Sequence, residues 1–166
     1  MPTRRILSRI HAIAGVLALV TILTFLSSSL AAELWGNAAT TASVKRAIAW
    51  ALLILVPALI ATGASGFKMA GPSPKGVLAN KLKRMRLIAG NGMLVLVPSA
   101  LFLAWKAAQA EFDTAFIAVQ IVELAAGSAN LMLMGLNIRD GLRLTGRLRT
   151  PRRQRQASRP LTPATP

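Results

Sequence analysis

The sequence predicts an all-α integral membrane protein, a four-helix bundle with both termini in the cytoplasm, and three observations carry that prediction. First, four apolar runs, about 10–31, 48–67, 87–105 and 115–137, each reach the roughly 17–25 residues a helix needs to cross a bilayer. Second, the basic residues alternate between the gaps. Arg4, Arg5 and Arg9 precede the first run, Lys68, Lys75, Lys81, Lys83, Arg84 and Arg86 separate the second from the third, and Arg139, Arg143 and six further arginines follow the fourth. The other two gaps hold only Lys45, Arg46 and Lys106, so the positive-inside preference puts the termini and the middle loop on the cytoplasmic side. Third, Trp35, Trp50 and Trp105 all fall at the predicted outer boundary, the headgroup level that amphipathic rings favour.

The elements follow in order. The first span begins just before His11 and carries Gly15 one turn later, with Thr24 deeper. Its start, Thr3-Arg4-Arg5-Ile6-Leu7, with Ser29-Leu30-Ala31 beyond, faintly resembles an export signal with a cleavage site, but the apolar run exceeds the ~7–15 residues of a signal core. The outer loops are expected at about 32–47 and 106–114, short enough for antiparallel neighbours. The cytoplasmic loop, about 68–86, holds Gly71-Pro72-Ser73-Pro74 and then a basic interfacial turn from Lys75 to Arg86. The second and third spans echo one another: Leu55-Val56-Pro57-Ala58 against Leu96-Val97-Pro98-Ser99, with Trp50 and Trp105 equally far from their prolines. Each proline removes one helix hydrogen bond, leaving the carbonyls of Leu53 and Leu94 open. Residues 1–146 thus form one transmembrane domain, and 147–166, rich in Arg, Pro and Thr, form a basic tail expected to be disordered or to lie on anionic lipid.

Composition narrows the function classes. A net charge of +15 in a soluble chain suggests nucleic acid, but here the mean hydropathy of +0.53 comes from the spans and the charge lies outside them. Contact with anionic headgroups accounts for it, and nucleic-acid binding is not expected. With no cysteine, disulfides and thiolate metal sites are excluded. No phosphate-binding glycine loop, zinc-type histidine pair or nucleophile elbow is present, so no catalytic residue is assigned.

The fourth span is the most informative. Gln120, Glu123, Gly127, Asn130, Met134 and Asn137 recur at alternating steps of three and four, one polar and small face that must avoid hydrocarbon. Glu123 is the acid deepest in a span, roughly 12 Å from the outer boundary at 1.5 Å per residue. Equal depths on the other helices reach Thr24, Pro57, Pro98 and Ser99. A polar pocket of Glu123, Gln120, Thr24 and Ser99 is therefore expected; burial without a cation would favour Glu123 as a neutral acid donating to an opened carbonyl, and proton handling, ligand binding or a cation site are the alternatives to a structural role. A second cluster, His11, Asn91 and Asn130 with Thr62 and Ser65, is expected nearer the cytoplasm. A haem b would need two axial ligands, so His11 would have to pair with a methionine such as Met85 or with its own copy in a dimer.

The stretches Arg84-Met85-Arg86-Leu87-Ile88-Ala89-Gly90-Asn91-Gly92, Phe112-Asp113-Thr114-Ala115-Phe116 and Gly135-Leu136-Asn137-Ile138-Arg139-Asp140-Gly141-Leu142 resemble those of small four-span bacterial inner-membrane proteins. The resemblance implies the architecture and a bacterial inner membrane, and no activity. The leading expectation is an accessory or scaffold subunit whose polar helix faces bind partner helices, as a homo-oligomer or within a larger complex. The alternatives are a haem- or quinone-binding electron-transfer protein and a small proton-coupled transporter or channel.

Overall fold

The computed structural model describes residues 2–73 and 75–144. The basic tail, 147–166, and the domain boundary at 146 lie outside the described residues. Those described form α1 (Pro2–Trp35), α2 (Ala38–Ala70), α3 (Val77–Asn91), a π-helical turn (Gly92–Leu96), α4 (Val97–Ala108) and α5 (Thr114–Leu144), with no strand among them. The third to fifth of these run on as one rod, Val77–Ala108, so four rods result, each long and apolar enough to cross a membrane. They are joined in sequence by short turns and pack as a ring: α1 beside α2, α2 beside α4, and α5 closing against α1, α3 and α4.

The helices outrun the apolar stretches, and the expected outer loop 32–47 shrinks to Gly36-Asn37. The physical reason is local. Gly36 donates its amide to the carbonyl of Ala32 at 3.0 Å, in a position where an added Cβ would strike that same oxygen. Asn37, in extended conformation, caps α2 by accepting from the Thr40 amide at 3.0 Å. At the other turn, Ala110 takes a left-handed conformation (φ 57°) and Asp113 caps α5 by accepting from the Phe116 amide at 3.0 Å. Lys106 bridges Glu111 at 2.6 Å and Asp113 at 2.8 Å, and the Lys106 ammonium together with the Phe116 amide holds the Asp113 carboxyl below its ordinary range. The cytoplasmic loop expected at 68–86 is likewise shorter: its basic second half is the beginning of α3.

The two prolines, predicted to act alike, do not. Pro57 sits inside an uninterrupted α2, whereas upstream of Pro98 the chain widens into the π turn, with the Val97 amide donating to the carbonyl of Gly92. A π turn absorbs the register error a proline introduces. Both prolines face outward, and their inward-facing neighbours, Leu55 of α2 with Leu96 and Val97 beside Pro98, wall a small internal cavity. Nor do the tryptophans share one level: Trp35 and Trp105 lie at helix ends, but Trp50 lies roughly 18 Å along α2 from Ala38.

The main core runs down the bundle axis through Ala18, Ile22, Ile48, Leu52, Leu55, Ile88, Ala100 and Met134, with a second cluster of Leu103, Ala107 and Phe116 under the two turns. The α5 stripe points into this core. Gln120, Gly127, Asn130, Met134 and Asn137 are all buried, and Asp140 continues the line one turn on. A face expected to receive partner helices is therefore occupied by this chain's own helices.

Candidate functional site

The site around Glu123 is built by a residue that hydropathy assigns to a loop. Because Asn37 starts α2 early, Thr41, Lys45, Ile48, Leu52 and Leu55 fall on one buried stripe, and the Lys45 side chain is 0% exposed. Its Nζ donates to Glu123 Oε2 at 2.6 Å and to Ser29 Oγ at 3.0 Å, tying α2 to α5 and α1. Gln120, one turn before Glu123, donates its Nε2 to the same carboxylate oxygen at 3.4 Å. Its Oε1 is buried and has no hydrogen-bond partner among the described residues. The Glu123 side chain keeps 12% exposure. A buried pair of this kind contributes little net stability, because desolvating two charges offsets their attraction. Removing one partner strands the other and costs about 3–5 kcal/mol.

This corrects the expected pocket in three respects. Glu123 has a cation, Lys45, at 2.6 Å, so the condition for a neutral acid is not met, and the Leu53 and Leu94 carbonyls belong to residues on the outer surface. Thr24 is at a suitable depth but on the wrong side of α1: exposed, its hydroxyl donates back to the Val20 carbonyl at 2.9 Å. Ser99 is buried in α4 but, among the described residues, makes no hydrogen bond with Glu123, Gln120 or Lys45. Of the four predicted members, Glu123 and Gln120 meet, and Lys45 and Ser29 take the other two places.

Below the ion pair a cavity of about 50 Å³ separates Ser29 and Glu123 from Asn130, with walls of Ile22, Phe25, Leu55 and Leu96. That volume exceeds the ~10–15 Å³ needed to seat a water molecule and falls well short of the ~150 Å³ that takes a benzene ring. Its walls are largely apolar, with Ser29, Glu123 and Asn130 as the polar members. At its far end Asn91 donates from Nδ2 to Asn130 Oδ1 and to the Ala126 carbonyl, both at 2.9 Å.

The expected second cluster therefore divides. Asn91 and Asn130 bond to each other, while His11 joins the other two residues named with it: Nδ1 lies 3.0 Å from the Thr62 carbonyl and 3.2 Å from Ser65 Oγ. Met85 comes alongside His11 at Gly66, where an added Cβ would strike the Met85 methyl and lie 3.1 Å from the imidazole. The histidine–methionine pair considered for haem is thus adjacent, on the wall of a second cavity.

That second cavity, about 1160 Å³, opens at the end of the bundle where α1 begins, α2 ends, α3 begins and α5 ends. Arg84, on α3, bonds Asp140 of α5 at 2.6 Å, with Asn137 at 3.5 Å. Sequence reasoning missed this bridge as it missed Lys45. A signal existed for both: Asp140 extends the α5 stripe, and Lys45 extends the apolar stripe of α2. No family model, curated protein or solved structure matches the chain.

Proposed function

We propose that the chain is a non-enzymatic, multi-pass component of a bacterial inner membrane with both termini in the cytoplasm, and that it acts as an accessory subunit beside partner helices or further copies of itself. The observation that supports this best is that the polar groups of the helices are engaged with one another: Lys45 with Glu123, Arg84 with Asp140, Asn91 with Asn130. A bundle so matched presents mainly apolar flanks to its surroundings, including Ile13, Val16, Val20 and Leu23 on α1. Such flanks suit lipid and associate with other helices by close van der Waals packing. Partner contact thereby moves from the polar face of α5 to the apolar exterior.

The test is mild extraction of the full chain from its native membrane followed by native mass measurement and an absorbance spectrum. The reading predicts a stoichiometric companion subunit or a defined oligomer, without a chromophore. A lone monomer contradicts it, and a Soret band that disappears in His11→Ala replaces it with haem binding.

A second reading, proton-coupled conduction, is favoured by one observation: the water-sized cavity between Glu123 and Asn130, beside the unpartnered Gln120 Oε1. It predicts a proton leak in liposomes carrying the purified chain that Glu123→Gln abolishes while the protein stays folded. Tight liposomes count against it.

A further inference from the structure

We propose that the large cavity at the basic end is a built, saturable site for the phosphorylated headgroup of an anionic phospholipid. This goes beyond diffuse attraction of a basic surface to a membrane, and it stands whether or not the chain has partner subunits.

The charge count leads to it. Arg4, Arg5 and Arg9 of α1 and Lys81 of α3 line the cavity from two sides. The sequence has five acids, and four of them, Glu33, Glu111, Asp113 and Glu123, belong to the opposite half of the bundle. The fifth, Asp140, is shared by Arg84 at 2.6 Å and Arg139 at 3.8 Å and lies near enough to act on Lys81 as well, one carboxylate among several cations. No other side-chain carboxylate exists in the chain, so most of the countercharge for the four cations comes from outside. Gly141 helps to fix one of them: an added Cβ there would lie 3.2 Å from the Lys81 Nζ, so the small residue lets the ammonium approach α5.

The walls specify what kind of anion. Met69, Leu78, Leu82 and Ile138 form much of the remaining lining, apolar surface that a free inorganic anion bound to the cations would leave uncovered. A phospholipid satisfies both parts, with phosphate oxygens on the guanidinium and ammonium groups and the glycerol and first acyl carbons against the apolar walls. The cavity volume, about 1160 Å³, slightly exceeds the usual range of small-ligand sites and accommodates such a headgroup with its linkage region.

The experiment is native mass spectrometry of the full chain in detergent, titrated with phosphatidylglycerol, with phosphatidylethanolamine and with inorganic phosphate. The expected result is saturation at one phosphatidylglycerol per chain, with much weaker binding of the other two. The variant Arg5→Gln/Arg9→Gln/Lys81→Gln should weaken binding about a hundredfold, from about fivefold per cation removed. The charge-matched variant Lys68→Gln/Lys75→Gln/Lys83→Gln, changed at exposed positions that do not line the cavity, should change it less than threefold. Equal losses in the two variants, non-saturating uptake, or inorganic phosphate binding as well as the lipid would each overturn the proposal. Should the first variant not stay monodisperse, Arg9→Gln alone is read in the same way against its fivefold expectation.

Discussion

The two ends of the bundle solve opposite electrostatic problems. At the end with the tight turns, Lys45, Arg46 and Lys106 face four acids, and the closest pairs are made inside the protein: Lys45 with Glu123 at 2.6 Å, Lys106 with Glu111 and Asp113 at 2.6 and 2.8 Å. The remaining seventeen basic residues of the sequence have one acid among them, Asp140. Below the first end the bundle holds a cavity of about 50 Å³, whereas the second end opens into one of about 1160 Å³. Matched charge permits dense packing, since each ion finds its partner within the fold. Unmatched charge keeps helices apart and leaves room for an external anion. The difference teaches that the same residue type, lysine, serves as an internal staple at position 45 and as a ligand-facing cation at position 81.

The comparison breaks most severely at Lys45. Lys45→Met leaves Glu123 buried without its cation and is expected to destabilise by about 3–5 kcal/mol, read from thermal or denaturant unfolding in detergent. The double variant Lys45→Met/Glu123→Leu should recover most of that loss, because an apolar pair of similar volume replaces a buried ion pair at little cost. If the double variant is as unstable as the single one, the pair is not what holds the three helices together.

How much of this was legible in the sequence depends on which coordinate a residue encodes. Hydropathy and charge give position along a helix, and they located all four rods. Spacing gives direction around a helix, and it correctly marked the α5 stripe as buried. Depth counting brought His11 to Thr62 and Ser65, since those three also share a side. It failed for Thr24, which has the depth of the site but faces away and satisfies its hydroxyl on its own backbone. Lys45 was missed because a charge reads as the end of a span. Only its spacing from Thr41, Ile48 and Leu52 shows that it belongs to the buried stripe. The unequal outcomes at Pro57 and Pro98 accompany one small difference in otherwise similar flanks: the π turn starts at Gly92, where the α2 sequence has Ala51.

Smaller effects sharpen the picture of the closed end. Gly36→Ala forces a Cβ against the Ala32 carbonyl and should cost about 1–3 kcal/mol as the α1–α2 turn opens, measured in the same unfolding assay. Ala110→Gly should act in the other direction, raising stability by about 0.5–1 kcal/mol, because the left-handed conformation there strains a residue with a Cβ. An unchanged midpoint would mean the turn relaxes without strain.

The smallest effect is a pH dependence. The Asp113 carboxyl is held below its ordinary range by Lys106 and by the Phe116 amide, so its folded form binds a proton less readily than its unfolded form. The stabilisation is present above the ordinary carboxylate range and is lost as pH falls through the depressed folded value. Unfolding midpoints followed from neutral pH into the acid range should therefore fall more steeply for the wild type than for Asp113→Asn. Parallel curves would remove Asp113 from the account.

The contrast between a closed, charge-matched end and an open, cationic one is tested most directly by thiol accessibility, for which a chain without cysteine is ideal. Ser29→Cys places a thiol beside Lys45, and Met69→Cys places one on the wall of the large cavity. Both are treated with water-soluble methanethiosulfonates, one carrying a sulfonate and one a quaternary ammonium. The account predicts that Cys at 69 reacts readily and faster with the anionic reagent, while Cys at 29 stays unmodified until the protein unfolds. Equal modification of the two positions, or a preference at 69 for the cationic reagent, would contradict it.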